Sequence, residues 1–268
     1  MDQAAGLESL THLQIGLIAL CFVWSGFVRS GLGFGGAVLT LPFLLLILNA
    51  PLVFLPIISV QLLIFSGLTV VAARWRHRRA GAERGAETDT VNWAFLRYAF
   101  PIMLLPKLAG VAGVIILPAS WISAVILVIV LGYSISYLLD RPIRSRGGWV
   151  DTALLAVGGY VSGTSLVAAP LVVPVAASRM AAHQLRDTLF VLWFVLVAIK
   201  LVAFVLAGVD LQLRHHVWLL PCATVGHFLG LKFHQHSLRA GNKLFFRWVG
   251  AGLLVVSVMG LLNLAKNL

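Results

Sequence analysis

Four basic residues lie inside apolar stretches of the sequence, where a charged or polar side chain needs a partner: Arg29, Lys107, Lys200 and His227. A Lys or Arg at the centre of a lipid bilayer costs at least about 2.5–3.5 kcal/mol on insertion scales. The nine acidic residues all lie at a terminus, in a loop or at the edge of an apolar stretch, so none is an obvious partner. We therefore expect an anionic ligand to supply the missing charge. Arg29 also fits a second interpretation, because it lies near a segment end from which its head group could reach the membrane surface.

The positions of the carboxylates exclude several kinds of chemistry. Cation pathways and most proton pumps use buried Asp or Glu to offset the charge of the ion. Catalysis of the glycosidase, aspartyl-protease or di-iron type brings acidic side chains together in the core. We therefore expect no catalytic residues, no metal site and no cofactor.

Two junctions rich in Gly and Ser interrupt the apolar stretches, at 30–36 and 162–165. Where a helix restarts inside a membrane, its first N–H groups are unpaired and its dipole favours an anion. Glycine permits unusual dihedrals and close approach of a ligand, and hydroxyls donate to oxyanions. Close helix packing is the alternative explanation of the glycines. Together with the buried basic residues, the junctions define the predicted substrate site: Ser30, Gly31, Gly33, Gly35, Gly36, Lys107, Ser162, Gly163, Thr164, Ser165, Lys200 and His227.

The elements that position these residues are predicted to be membrane helices. Only 11% of the 268 residues are charged and the mean hydropathy is +0.98, whereas about a quarter of a soluble domain is charged. Runs such as 125–130 lack the alternation of a membrane β-barrel. The sequence predicts an all-α polytopic membrane helix bundle, with apolar segments at 12–29, 31–48, 51–73, 92–116, 118–139, 149–162, 164–178, 187–208, 214–235 and 244–265. Segments 12–48 and 149–178 form two broken pairs, either re-entrant hairpins or full crossings.

The two halves of the chain are related by constant spacing. Ser30 and Gly31 recur 132 residues later as Ser162 and Gly163, and later in each half the offset becomes 120, which pairs Lys107 with His227. Such recurrence indicates an internal repeat, and glycine-interrupted segments in matching positions are typical of transporters. We predict a first repeat at 1–140, with a basic loop at 74–91, and a second repeat at 141–268.

The positions of the basic residues predict the orientation. The formal net charge is +11, and fifteen of the 20 Lys and Arg fall in four stretches, 74–97, 141–146, 179–186 and 232–247. Basic connectors stay on the cytoplasmic side, so this pattern indicates membrane insertion and no nucleic-acid partner. Matching segments of the two halves then run in opposite directions, which predicts an inverted-topology repeat with both termini on the external side.

The junction sequence also carries a resemblance. Residues 30–42, SGLGFGGAVLTLP, which recur weakly at 162–174, resemble the glycine-rich signature of the TauE/SafE (TSUP) sulfite exporter family. The resemblance covers essentially the whole chain, although the second copy lacks the glycine cluster. Members are bacterial inner-membrane carriers of sulfite, thiosulfate or organosulfonates, typically outward, so the resemblance implies this location and substrate class here.

The leading interpretation is a secondary carrier, or exporter, of a small sulfur-containing anion. A passive anion channel could use the same cationic lining. A membrane accessory subunit or enzyme is the third alternative. The sequence leaves open the identity of the anion, the direction, the coupling ion and the oligomeric state, a homodimer included.

Overall fold

The chain folds into a bundle of α-helices. The computed structural model describes residues 10–32, 36–79, 90–141, 143–237 and 243–266. The helices within these residues are α1 (His12–Leu32), α2 (Leu41–Ile47), α3 (Pro51–Arg79), α4 (Trp93–Ile116), α5 (Ala119–Leu138), α6 (Gly148–Thr164), α7 (Ala169–Ala177), α8 (Ala182–Leu206), α9 (His216–Ser237) and α10 (Lys243–Lys266). No β-strand occurs in the described part of the chain, which confirms the predicted all-α class.

Several helices have the length and composition of membrane crossings. In the described residues there are six such spans: His12–Gly31, Pro51–Leu68, Trp93–Ile116, Ala119–Leu138, Ala182–Leu206 and Arg247–Lys266. Their outer faces expose large apolar side chains, such as Leu206 at 83% and Leu105 at 75%. So much apolar surface is unfavourable in water and favourable against lipid. The predicted polytopic membrane bundle is therefore confirmed.

Both predicted junctions interrupt the helical path, but each helix ends and restarts later than its apolar segment does. Helix α1 continues to Leu32 and α2 starts at Leu41, while α6 continues to Thr164 and α7 starts at Ala169. Leu166, between α6 and α7, has a φ of 61°, in the left-handed region that no continuing helix uses. The hydroxyl residues of each junction consequently lie in the last turn of a helix. They do not lie at a helix start.

The α6–α7 pair is a hairpin whose two outer ends meet. The Arg179 guanidinium, after α7, donates to the Asp151 carboxylate in the first turn of α6, with Nη2 and Oδ2 2.9 Å apart. Ser178 Oγ donates to Ser145 Oγ, at 2.9 Å, from the same two ends. The chain therefore enters through α6 and returns through α7 to the same side of the bundle, as a re-entrant pair does.

The main helix–helix contacts join one half of the chain to the other, and they are symmetric between the halves. Helix α1 packs on α9, and its counterpart α6 packs on α4, the counterpart of α9. Helix α3 packs on α8, and α5 packs on α10, so exchanging the two halves returns the same set of neighbours. This is the pattern that a twofold-related pair of repeats produces. The division into repeats 1–140 and 141–268 stays a prediction, which the exchange supports, and residues 80–89 of the predicted basic loop lie outside the described residues.

Glycine allows close packing of α1 on α9 and of α6 on α4. A Cβ added to Gly226 on α9 would lie 1.8 Å from the carbonyl oxygen of Val23 on α1, and one added to Gly163 on α6 would lie 2.3 Å from that of Lys107 on α4. Atoms that are not bonded to each other do not come this close. These two positions therefore require glycine as long as the helices keep this separation.

Candidate functional site

A cavity of about 50 Å³ lies between the two halves, beside both interruptions. Helices α1 and α3 from the first half, and α6, α7 and α8 from the second, contribute residues to its wall. Its polar side chains are those of Ser25, Arg29, Ser66 and Ser162. The cavity can hold a small anion, whereas drug-sized ligands occupy pockets of roughly 300–1,000 Å³.

The Arg29 guanidinium is the charged group of this cavity. Its side chain is 7% exposed, and Nε and Nη2 have no hydrogen-bond partner among the described residues. Phe65 covers one face of the guanidinium, with Cζ 4.0 Å from the ring centroid. Burying an unsatisfied donor costs about 1–3 kcal/mol, and more when the group is charged. The free edge of Arg29 can therefore donate to an acceptor in the cavity, and a negatively charged acceptor suits it best.

Two hydroxyls extend the polar part of the cavity. Ser66 on α3 is fully buried and its Oγ has no partner among the described residues. Ser162 Oγ accepts a hydrogen bond from Lys107 Nζ, at 3.0 Å. Since a hydroxyl donates one hydrogen and accepts at its lone pairs, the proton of Ser162 remains available to a ligand. Three neutral or cationic donors thus meet at one cavity.

The two buried lysines converge on the last turn of α6. Lys107 Nζ donates to Ser162, and Lys200 Nζ donates to the carbonyl oxygens of Gly163, at 2.6 Å, and Thr164, at 3.3 Å. Both lysines are 0% exposed and they repel each other. The last carbonyls of a helix carry partial negative charge, which a cation neutralises. Lys107 and Lys200 therefore cancel a potential that would otherwise repel an anion from the adjoining cavity.

The interruption of the first half has a matching pair. His227 on α9 is hydrogen-bonded through Nδ1 to Ser30 Oγ in the last turn of α1. The constant spacings pair His227 with Lys107 and Ser30 with Ser162, so each half presents a serine at the end of its first helix to a basic side chain of the other half. The His227 ring also packs against Phe65, 5.1 Å between centroids, and Phe65 contacts Arg29.

The remaining predicted site residues have different positions. Gly36 lines the cavity, and an added Cβ would lie 3.1 Å from Arg29 Cβ, so a side chain there would crowd the arginine. Gly31 lies at the α1–α9 interface, where a Cβ added to Gly230 would be 2.9 Å from the Gly31 nitrogen. Thr164 and Ser165 donate their hydroxyl hydrogens to carbonyls one turn back in α6, which leaves them no hydrogen for a ligand. Gly33 and Gly35 lie outside the described residues.

The predicted substrate site omitted three of the polar residues that line the cavity, Ser25, Arg29 and Ser66. In the sequence, the position of Arg29 near a segment end fits both burial and contact with the membrane surface. Ser66 lies in an otherwise apolar run of α3, where a lone serine gives no signal. The constant spacing between the two halves gives no information about Arg29 or Ser66, because neither residue belongs to a matched pair.

The fold and this cavity are those of a membrane transporter: a polytopic bundle with two interrupted helix pairs and a small cationic cavity between them. The sequence pattern of the family described as Sulfite exporter TauE/SafE matches residues 18–261 of the chain. The chain therefore belongs to the TauE/SafE sulfite exporter family, as the resemblance of the junction indicated. No significant match was found among curated proteins, and none among solved structures.

Proposed function

We propose that this protein is a secondary carrier for a small sulfur-containing anion, such as sulfite, thiosulfate or an organosulfonate, and that the anion binds in the cavity between the interruptions. The observation that carries the proposal is the buried edge of Arg29, which lines this cavity without a partner among the described residues. The family description supplies the substrate class, since it names a sulfite exporter.

The surrounding charges favour one bound anion. Arg29 lies in the last turn of α1, and Lys107 and Lys200 contact the last turn of α6, so a cation offsets the negative end of each interrupted helix. The hydrogen-bond partners of both lysines are neutral. Binding an anion beside these three cations returns part of the free energy that their burial costs.

The proposed transport cycle is alternating access. Both helix interruptions lie against the cavity, and the tight glycine contacts join α1 to α9 and α6 to α4. Rigid movement of one such pair against the other would open the cavity to one membrane face at a time. We place the protein in the bacterial inner membrane, with the basic connectors cytoplasmic and both termini external.

Transport by purified protein in proteoliposomes tests the proposal. Uptake of radiolabelled sulfite and thiosulfate should saturate with concentration, and unlabelled anion inside the vesicles should accelerate it. Arg29→Gln should lower the initial rate at least tenfold, because it removes the charge and leaves neighbouring donors alone. The matched control is Arg97→Gln, at an exposed position of α4, which should leave the rate within twofold.

Two outcomes would refute the proposal. If uptake of every sulfur anion equals that of protein-free vesicles, the protein does not transport these anions. Single-channel currents without saturation or acceleration by internal anion would instead establish the channel.

A further inference from the structure

Helix α8 carries a basic residue just beyond the wall that it contributes to the cavity. Phe190, Trp193 and Val197 of α8 line the cavity. Arg186 lies four residues before Phe190, so it occupies the same helix face, about 6 Å closer to the start of the helix. Residues 179–186 form one of the basic stretches that are predicted to be cytoplasmic. Arg186 therefore lies between the cavity and the predicted cytoplasmic face.

The Arg186 side chain is partly buried, and part of its guanidinium lacks a partner. Its Nε atom is buried and has no hydrogen-bond partner among the residues that the structure describes. A buried donor without a partner is unfavourable, and more so when it belongs to a charged group. An arginine that only fixes the orientation of the protein would extend its whole head group into water. The unpartnered Nε of Arg186 therefore indicates a ligand with an acceptor atom.

Arg186 is connected to the cavity through Phe190. The Cζ atom of Arg186 lies 5.7 Å from the centroid of the Phe190 ring, within the range of a cation–π contact. The lining of the cavity includes Phe190 and does not include Arg186, so the ring lies at the boundary between them. Arg186 and Arg29 both interact electrostatically with His227. The two guanidinium groups therefore contribute positive potential to one region of the molecule.

From these contacts we infer that Arg186 forms a second anion-binding site on the cytoplasmic side of the cavity, where an oxyanion binds the guanidinium before it passes the Phe190 ring and reaches Arg29. An anion that moves in the opposite direction binds the two arginines in reverse order. Passage through a membrane protein is favoured by several sites in succession, each of which binds strongly enough for entry and weakly enough for release. This inference rests on the proposed function and adds a second site to it.

Transport measured separately from each membrane face tests the second site. Inside-out and right-side-out membrane vesicles present the cytoplasmic and the external face, and radiolabelled thiosulfate is the probe. In Arg186→Gln the half-saturating thiosulfate concentration should rise at least fivefold at the cytoplasmic face and stay within twofold at the external face. The reason is that only an anion from the cytoplasm meets Arg186 first. Arg29→Gln, by contrast, should impair transport from both faces.

Two further variants separate the charge of Arg186 from its packing. Arg186→Lys keeps the positive charge, so the half-saturating concentration at the cytoplasmic face should stay within twofold of the value for the unaltered protein. The matched control is Arg144→Gln, which removes one positive charge at an exposed position of another basic stretch on the same predicted face. It should leave this concentration unchanged. An equal rise in Arg186→Lys and Arg186→Gln would make Arg186 a packing residue, and an equal rise in Arg144→Gln would make the effect one of general surface charge; either result overturns the inference.

The results distinguish this inference from the proposed function. If Arg186→Gln changes neither half-saturating concentration while Arg29→Gln impairs transport, the second site is refuted and the carrier is supported. A rise in Arg186→Gln that is equal at both faces, or confined to the external face, also refutes a site on the cytoplasmic side. Absence of saturable thiosulfate and sulfite transport by the unaltered protein, from either face, refutes the proposed function and the second site together.

Discussion

At the residue scale, the buried lysines Lys107 and Lys200 contact the end of a helix. Each makes charge-assisted hydrogen bonds in the last turn of α6, and each such bond contributes about 1.5–3 kcal/mol. Burial of each ammonium in a membrane protein costs at least about 2.5–3.5 kcal/mol. The two contributions nearly cancel, so the lysines add little net stability and their main effect is on the potential in the cavity.

Replacing these lysines by methionine should therefore separate transport from stability. In Lys107→Met and Lys200→Met the initial uptake rate in proteoliposomes should fall at least tenfold, because the negative end of α6 is no longer neutralised. The free energy of unfolding should change by less than about 2 kcal/mol. Uptake per reconstituted protein and thermal unfolding in detergent measure the two quantities.

The exposed Lys266, in the last turn of α10, provides the control, and Lys266→Met should alter neither quantity. Unchanged uptake in both Lys107→Met and Lys200→Met would show that neither lysine contributes to anion transport. Loss of folding together with loss of uptake would instead make them structural residues.

At this scale, sequence patterns predicted which residues are equivalent in the two halves, but they predicted neither the contacts nor the roles of these residues. The spacings paired Lys107 with His227 and Ser30 with Ser162, and the structure joins each of these basic residues to one of the two serines. The hydroxyls of Thr164 and Ser165 were expected to face a ligand, but a sequence does not show that they bond to their own helix. The role of Arg29 depends on the depth at which α1 ends, and hydropathy does not define that depth.

At the scale of the elements, composition located the helices because lipid imposes a simple requirement. A crossing must be a nearly continuous apolar helix of about 20 residues, so hydropathy alone gives segments close to those observed. The ends at the two interruptions were less predictable. Helix α6 continues through Gly163 to Thr164 because its neighbours supply partners for its last carbonyls, and those neighbours are distant in sequence.

Glycine at the α1–α9 and α4–α6 interfaces should be required for the thermal stability of the protein. Gly226→Ala and Gly163→Ala each force two backbones apart, which costs about 1–3 kcal/mol for an added methylene in a packed core. The gain in helix propensity from glycine to alanine is only about 1 kcal/mol, so the net change should be destabilising. Thermal unfolding in detergent should show a lower midpoint for both variants.

The chain contains a matched pair of control glycines. Gly132 and Gly252 are related by the offset of 120, lie within helices α5 and α10, and have no atom within 4 Å of an added Cβ. Alanine at either position should leave the midpoint unchanged or raise it slightly. If all four variants behave alike, the close approach of α1 to α9 and of α6 to α4 does not limit stability.

At the scale of the whole molecule, the exchange of partners explains why the two halves form one body. Helix α1 packs mainly on α9, and α4 packs mainly on α6. Neither half can therefore bury its glycine faces alone. The sequence predicted the repeat from spacing and its inversion from the basic connectors. It could not predict which helices exchange, because spacing relates equivalent positions and carries no information about contact.

Inversion makes a direct prediction about two connectors. Thr90, before α4, and Asp210, before α9, are related by the offset of 120, so an inverted repeat places them on opposite membrane faces. With Cys21 and Cys222 changed to alanine, Asp210→Cys should react with a membrane-impermeant maleimide in intact cells. Thr90→Cys should react only after permeabilisation, because Thr90 lies within the basic stretch 74–97, which is predicted to stay cytoplasmic.

Permeabilised cells provide the control for reactivity, since both cysteines should then be labelled to a similar extent. Labelling of both in intact cells, or of neither, would place the two connectors on one face and make α4 and α9 parallel. In that arrangement the two halves could not be related by an axis in the membrane plane, and the exchange of helix partners would reflect a parallel duplication. Alternating access would then lose the symmetry that gives its two end states similar energies, although the cationic cavity and its anion would remain to be tested directly.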